Sequence, residues 1–410
     1  MGYLTRDIQQ AFLRMSNEFG AVLVTGSRQV GKTTMLTHLA QYEKKNREYV
    51  SLDDLDEQRM AKNDPKLFFQ IHQPPLIIDE IQYAPELFPY IKIYIDSHKE
   101  ETGAFWMTGS QLFKLMQGVQ ESLAGRVGLL QMLPLSQREV YSTQASLPFD
   151  FDRTRLSELS KCMEPLGMDA IYKRIFNGGM PAVILESHNR TDFYSSYIGT
   201  YLERDVRYIS LVEDSLKFAR FVVAAAARTA QELNYHSLGE DADINQETVK
   251  RWLAILEALG VIFYLHPFTN NTLKRTLKKP KLYFFDTGLV AYLTKWDSPE
   301  TLSAGAMSGA ILENYAIVEL IKSYRNAGME PYLNYYRDKD KREIDVLIQR
   351  DGLIHPLEIK RSVSPGLASI KSFTVLNMEY PKHSTGAVLC MAESLGMLDA
   401  DNLVIPIGYL

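Results

Sequence analysis

Cysteine is almost absent from this chain: its 410 residues hold two, Cys162 and Cys390, with no second thiol or histidine at metal-ligand spacing. That speaks against a disulfide framework and a zinc site, and it fits a reducing cytoplasm. Long apolar runs are also missing. No stretch approaches the roughly 18 residues needed to cross a bilayer, so no membrane span is expected. The N-terminal MGYLTRDIQQ lacks the apolar centre of a signal peptide, and Arg6 breaks the myristoylation pattern. An excess of positive charge is lacking too. The formal net charge of −5 argues against a surface that coats nucleic acid broadly, while leaving room for a local basic patch. Internal repeats and low-complexity tracts do not occur. What remains is an ordinary globular composition, 46 % hydrophobic and 23 % charged, long enough for two or three domains with cores of their own.

The first 140 residues or so alternate short apolar runs with helical stretches, the pattern of a parallel α/β sheet. Strands are expected at Ala21–Thr25, Glu48–Leu52, Leu76–Asp79, Phe105–Thr108 and Val127–Leu133. Between Ser142 and Gly167 the chain turns polar and aperiodic, a natural boundary. A helical stretch follows, interrupted at Asn177-Gly-Gly-Met-Pro181, where paired glycines permit a turn closed to most residues. From Leu216 to Lys281 the order reads helix, short helix, helix, two strands, the signature of a winged helix. The third of these helices has Asn245 as N-cap, Gly260 as stop, and Val249, Trp252, Leu253, Leu256 and Leu259 on one face. A final α/β unit has a helix at Ile311–Tyr324 and strands near Tyr332–Arg337, Glu343–Ile348 and Leu357–Lys360. The expected segments are therefore 1–145, 146–215, 216–297 and 298–410.

Gly26-Ser27-Arg28-Gln29-Val30-Gly31-Lys32-Thr33, followed by Thr34, matches G-x-x-x-x-G-K-[ST] directly after the first strand. The glycines let backbone N–H groups curl around phosphates while the next helix presents its positive end. Lys32 is placed to reach the β- and γ-phosphates, and the Thr33 hydroxyl to ligate magnesium. Leu76-Ile-Ile-Asp79-Glu80 supplies the second half: Asp79 at the strand end for the magnesium shell, Glu80 as the general base that orients water. At the end of the next strand Ser110 or Gln111 senses the γ-phosphate, or the segment is a plain strand-to-helix turn. Arg126, at the foot of the strand after that, reads either as an arginine finger for a neighbouring subunit, which requires a homo-oligomer, or as a surface salt bridge.

Together these pieces resemble the AAA-type P-loop ATPases common in bacteria and archaea, in the subfamily with a C-terminal domain of unknown function. The likeness rests on Gly26–Thr34, Leu76–Gln82, Thr108–Gln111 and Ser122–Arg126, and more specifically on Gly178-Gly-Met-Pro181, Tyr201-Leu-Glu-Arg-Asp205 and Tyr283-Phe-Phe-Asp286-Thr-Gly-Leu289. It implies ATP with magnesium, hydrolysis, a winged-helix region and a restriction-endonuclease-like end.

In the later half, Lys274, Arg275, Lys278, Lys279 and Lys281 form a basic wing over 274–281 that suits a DNA backbone. Glu240, Asp241, Asp243 and Glu247 crowd the presumed recognition helix and favour a protein partner or a packing role instead. Glu313, Asp345 and Glu358-Ile-Lys360 resemble a PD-(D/E)XK nuclease core, in which the acids hold magnesium and the lysine positions hydroxide. The plainer alternative is an exposed charge pair of Glu358 with Lys360. Three functions stay open: an ATP-driven switch gripping DNA or protein, an ATP-regulated magnesium-dependent nuclease, and a non-hydrolysing regulator.

Overall fold

The computed structural model describes residues 3–43, 46–110, 123–142, 147–186, 188–202, 215–269, 279–379 and 384–410, with the side chains of 201, 202 and 377–379 left out. Gln111, Ser122, residues 203–205, Lys274, Arg275 and Lys278 lie outside the described residues. The chain forms two compact units: Met1–Leu135 with Ala258–Gly260 and Arg325–Met329, and Ser136–Glu257 with Val261–Tyr324 and Glu330–Leu410.

In the first unit β1 (Ala21–Thr25), β2 (Glu48–Ser51), β3 (Leu76–Asp79), β4 (Phe105–Gly109) and β5 (Val127–Gln131) make one parallel sheet in the order β2-β3-β4-β1-β5. Every residue of β1, β3 and β4 is buried, as strands covered on both faces must be. The edge strand β2 is exposed at Glu48 and Tyr49. All five expected strands are present, with ends within two residues of their expected places. Phe68, Phe88 and Ile91, from flanking helices, pack with Leu23, Ile78 and Phe105 of the sheet. Because the strands are parallel, their C-terminal ends share one edge. The chain leaves β1 there into the helix Lys32–Tyr42, β3 ends at Asp79, and Ser110 follows β4.

The second unit opens on Ser136, whose hydroxyl and Glu139 form a capping box for the helix Gln137–Tyr141. The stretch expected to be aperiodic contains a helix, Arg153–Cys162. Asp152 caps it by accepting from the N–H groups of Thr154 at 2.8 Å and Arg155 at 3.1 Å. Only Leu156 and Leu159 are buried on it, too few to leave a helical period in the sequence.

The helices Ser215–Ala226, Tyr235–Ala242 and Gln246–Ala258 accompany a three-stranded sheet of β6 (Gln231–Glu232), β7 (Ile262–Leu265) and β8 (Lys281–Phe284), ordered β6-β8-β7. Asn245 caps the third helix by accepting from Thr248 N–H at 2.8 Å, and Val249, Trp252, Leu253 and Leu256 are buried as the period predicts.

The last sheet has six strands: β9 (Leu333–Arg337), β10 (Glu343–Arg350), β11 (Leu353–Lys360), β12 (Gly386–Cys390), β13 (Gly396–Met397) and β14 (Asn402–Pro406), ordered β13-β14-β12-β11-β10-β9. The β9-β10-β11 part is antiparallel, while β11, β12 and β14 run parallel. The long helix Ser308–Asn326 belongs to the same unit. Among the described residues no helix is long and apolar enough to cross a membrane.

Candidate functional site

Gly26 opens the loop after β1 with φ +142, and a Cβ placed on it would lie 2.2 Å from the Met132 carbonyl oxygen, so only glycine fits. Gln29 and Gly31 follow in left-handed conformations, φ 64 and φ 96. Such residues curl the backbone in the way that anion-binding nests require. Arg6 fastens the cradle by donating to the carbonyls of Val30 and Leu133, both at 2.8 Å. The Lys32 side chain lies back over the loop, and Nζ donates to the carbonyls of Gly26 and Ser27 at 3.0 Å each. Burial lowers the Lys32 pKa to about 8, against the opposing pull of Glu80 and Asp79. A buried ammonium that donates to two backbone carbonyls is poised for an incoming anion.

Asp79 is the centre of a hydroxyl cluster. Its Oδ1 accepts from Thr33 Oγ1 at 2.6 Å and Thr108 Oγ1 at 2.5 Å, and Oδ2 accepts from the Tyr49 hydroxyl at 3.1 Å. Burial, then Asp79, pushes the Tyr49 phenol up to about 12, which keeps it a donor. Glu80 sits in the left-handed region at φ 56, a conformation that costs a non-glycine residue about 1–2 kcal/mol. Its N–H donates to Thr108 Oγ1 at 3.0 Å. Its Oε2 accepts from Ser110 Oγ at 3.0 Å and from Gln82 Nε2. The turn thus aims Asp79 and Glu80 differently although they are adjacent in sequence.

The sequence motifs found Lys32, Thr33, Asp79, Glu80 and Ser110, and the fold brings them to one sheet edge. They gave Ser110 a role toward phosphate, whereas its contacts here are Glu80 and Gln82. Tyr49, Thr108, Gln82 and Arg6 were missed as site residues. The polar end of β4 was a signal for Thr108; nothing in Glu-Tyr-Val-Ser marks Tyr49. Arg126 is not part of this cluster. The register Ala21↔Val127, Thr25↔Gln131 puts it at the opposite edge of the sheet from the loop. There its guanidinium grips Asp96 in a two-pronged pair, at 2.6 and 3.1 Å.

A second polar cluster lies in the other unit. Glu313, on the helix Ser308–Asn326, accepts from Lys281 Nζ at 3.0 Å and from the Tyr283 hydroxyl at 2.7 Å, both through Oε1. Lys281 Nζ also meets Glu343 Oε1 at 2.6 Å. Asp345 Oδ2 accepts from Ile359 N–H at 2.8 Å and faces Lys360 Nζ at 3.4 Å. Lys360 Nζ reaches Glu358 Oε2 at 2.5 Å, and Ser372 Oγ donates to Glu358 Oε1 at 2.9 Å. Burial, then Asp345, pushes the Glu358 carboxyl up to about 8.

Two expectations are corrected here. Glu358 and Lys360 do not form an exposed pair, since Glu358 is 4 % exposed. Lys281 is not on a solvent-facing wing, being 3 % exposed within its ion pairs. Around Asp345 every residue from Ile344 to Ile348 is buried. Ile344 pairs with Tyr336 and Leu347 with Asn334, so β10 holds one extra residue at Asp345–Val346. Such a bulge re-aims a side chain.

Residues 18–141 match the AAA domain family, 168–300 a domain of unknown function, DUF8612, and 308–410 another, DUF4143. The match supports an AAA-type P-loop ATPase domain in the first unit and, with it, the binding of ATP. The chain is 28 % identical over 366 residues to the uncharacterized proteins Rv2008c of Mycobacterium tuberculosis and Mb2031c of Mycobacterium bovis, spanning 88 % of this chain and 75 % of each relative. Similar solved structures include the Thermotoga maritima RuvB Holliday junction branch migration motor, at 14 % identity and TM-score 0.33, over 66 % of this chain and 94 % of that one. A signal transduction ATPase with a tetratricopeptide repeat sensor from Pyrococcus horikoshii is similar at 12 % identity and TM-score 0.25, over 79 % and 47 % of the two chains.

Proposed function

We propose that the AAA domain hydrolyses ATP with magnesium and that the second unit contacts a protein partner that this hydrolysis regulates. The observation that carries the first part is the Asp79–Glu80 turn beside Lys32. One carboxylate is bound by two threonine hydroxyls, and the next is held apart by Ser110 and Gln82. A domain that only bound nucleotide would have no use for the strained Glu80.

Magnesium fits this donor set, because Thr33 Oγ1 and Asp79 Oδ1 are hard oxygens 2.6 Å apart at the start of the loop's helix. Bound with ATP, it would offset charge on the phosphates. Lys32 supplies the fixed positive charge for the β- and γ-phosphates, and the loop N–H groups hold the remaining oxygens. Glu80 accepts a proton from the attacking water, while Ser110 and Gln82 fix its carboxylate until then.

For the second unit we propose that helix, strand, two helices and hairpin form a winged helix used for packing and protein contact. Support comes from Lys281, which is spent on Glu313 and Glu343, and from the acids Glu240, Asp241 and Glu247 near the third helix. One experiment tests both parts: phosphate release by wild type and Glu80→Gln, with and without duplex DNA. The variant should bind ATP with near-normal affinity yet turn it over roughly 10²–10⁴-fold more slowly, and DNA should change neither protein. Equal turnover in the two proteins would remove Glu80 as the base, and stimulation by DNA would replace the protein partner with nucleic acid.

A further inference from the structure

The PD-(D/E)XK-like pattern of Glu313, Asp345, Glu358 and Lys360 implies a magnesium ion among the acids, and the residues present do not fit one. Among the described residues no three acidic, histidine or cysteine side chains are grouped so as to hold a metal ion. One oxygen of each carboxylate is already engaged by a lysine of the chain itself. Lys281 Nζ bridges Glu313 Oε1 and Glu343 Oε1, at 3.0 and 2.6 Å, with the Tyr335 ring 5.5 Å away on another side. Lys360 Nζ bridges Glu358 Oε2 and Asp345 Oδ2, at 2.5 and 3.4 Å. The remaining contacts are hydrogen-bond donors: the Tyr283 hydroxyl, Ile359 N–H and Ser372 Oγ.

We infer that this acidic pocket carries its own counter-ions, with Lys281 occupying the place of a divalent cation, so that it binds no metal and acts as an ionic lock. A magnesium ion needs oxygen at about 2.1 Å in near-octahedral geometry. An ammonium 3.0 Å from the same Glu313 oxygen would then stand almost against it. Nor can Lys281 readily leave. Its side chain is 4 % exposed, and a buried cation without its carboxylates is strongly disfavoured.

The lock has a geometric consequence. Lys281 begins β8, Glu313 lies on the long helix, and Glu343 begins β10, so one ammonium ties the three-stranded sheet to the six-stranded one. Arg337 reinforces the join by meeting Glu232 of β6 at 3.1 Å and Glu343 at 3.7 Å. The backbone supports it independently, since Phe268 N–H donates to the Tyr335 carbonyl at 2.6 Å and Tyr335 N–H to the His266 carbonyl at 3.1 Å. A metal pocket has no need of such a bridge, whereas a unit that must move as one piece does. The inference is independent of ATP hydrolysis.

The test is manganese binding followed by electron paramagnetic resonance, on the nucleotide-free full chain, for wild type, Asp345→Asn, Lys281→Met and Lys281→Met with Asp345→Asn. Wild type and Asp345→Asn should take up manganese equally. Lys281→Met should gain a site that the added Asp345→Asn removes. Manganese uptake by wild type that is lost in Asp345→Asn would overturn the inference, and this pair decides even if Lys281→Met fails to fold. A folded Lys281→Met that gains no site would equally remove Lys281 as the cation's stand-in. Wild type should also leave supercoiled plasmid intact with magnesium; nicking that disappears in Asp345→Asn contradicts the lock.

Discussion

In the proposed ATP site, nucleotide affinity should depend most directly on Lys32, and its buried position makes that dependence sensitive to pH. Burial lowers its pKa from the ordinary lysine value of 10.5 to about 8 in the free protein. A bound triphosphate favours the ammonium and raises that value again. The free form therefore loses the proton first as pH rises, and above pH 8 binding must take a proton up. ATP affinity should stay nearly flat below neutrality and weaken above about pH 8, by up to about tenfold per unit. Fluorescent-nucleotide titrations across pH 6–10 check this; an affinity that strengthens with alkalinity would contradict it. Lys32, Thr33, Asp79 and Glu80 were legible because a phosphate cradle dictates their spacing along a continuous strand, loop and helix. Tyr49 was not, because a hydroxyl arriving from a neighbouring strand obeys no spacing rule.

At the scale of elements, Asp286 shows how two short motifs meet. It caps the helix Thr287–Leu293 by accepting from Leu289 N–H at 2.8 Å, and it also accepts from Gly179 N–H and the Tyr194 hydroxyl, both at 2.6 Å. The Tyr194 hydroxyl crowds both adjoining turns: a Cβ on Gly178 would lie 2.3 Å from it, and one on Gly288 2.2 Å. These are the glycines of the Gly-Gly-Met-Pro and Asp-Thr-Gly-Leu segments. Asp286→Ala strands the N–H groups of Gly179 and Leu289, while the Tyr194 hydroxyl keeps the Asn177 carbonyl at 3.0 Å, and should cost on the order of 3 kcal/mol, seen as a lower urea midpoint. A midpoint within error of wild type would show that the cap is dispensable. Both motifs were visible in the sequence, but their meeting through Tyr194 was not, since it depends on contacts between residues about 100 positions apart. The strands β12 and β14 escaped for another reason. Runs such as Gly-Ala-Val-Leu-Cys carry no alternation when both faces are buried, so period alone cannot assign them.

For the whole molecule, the sequence allowed the α/β order of the first unit to be read through to its sheet, because each of its strands carries its own apolar run. The later half was harder. The acids at 313, 345 and 358 were recognised as a set, yet what sets their chemistry is Lys281, assigned from its neighbours to a solvent-facing basic patch. A lysine among other lysines looks like a patch until the fold turns it inward onto carboxylates. The two units thus differ in kind: one offers a buried cation to an external anion, whereas in the other Lys281 and Lys360 already face Glu313, Glu343, Asp345 and Glu358. The proposed ATP chemistry accordingly belongs to the first unit.

The most direct measurement of that claim is magnesium-dependent phosphate release by wild type and Lys32→Ala at saturating ATP, with folding checked by circular dichroism. Wild type should turn over, and the variant should fall by at least about 10²-fold, the scale expected when a fixed charge on the transferring phosphoryl group is removed. Unchanged turnover in a folded Lys32→Ala would contradict the account.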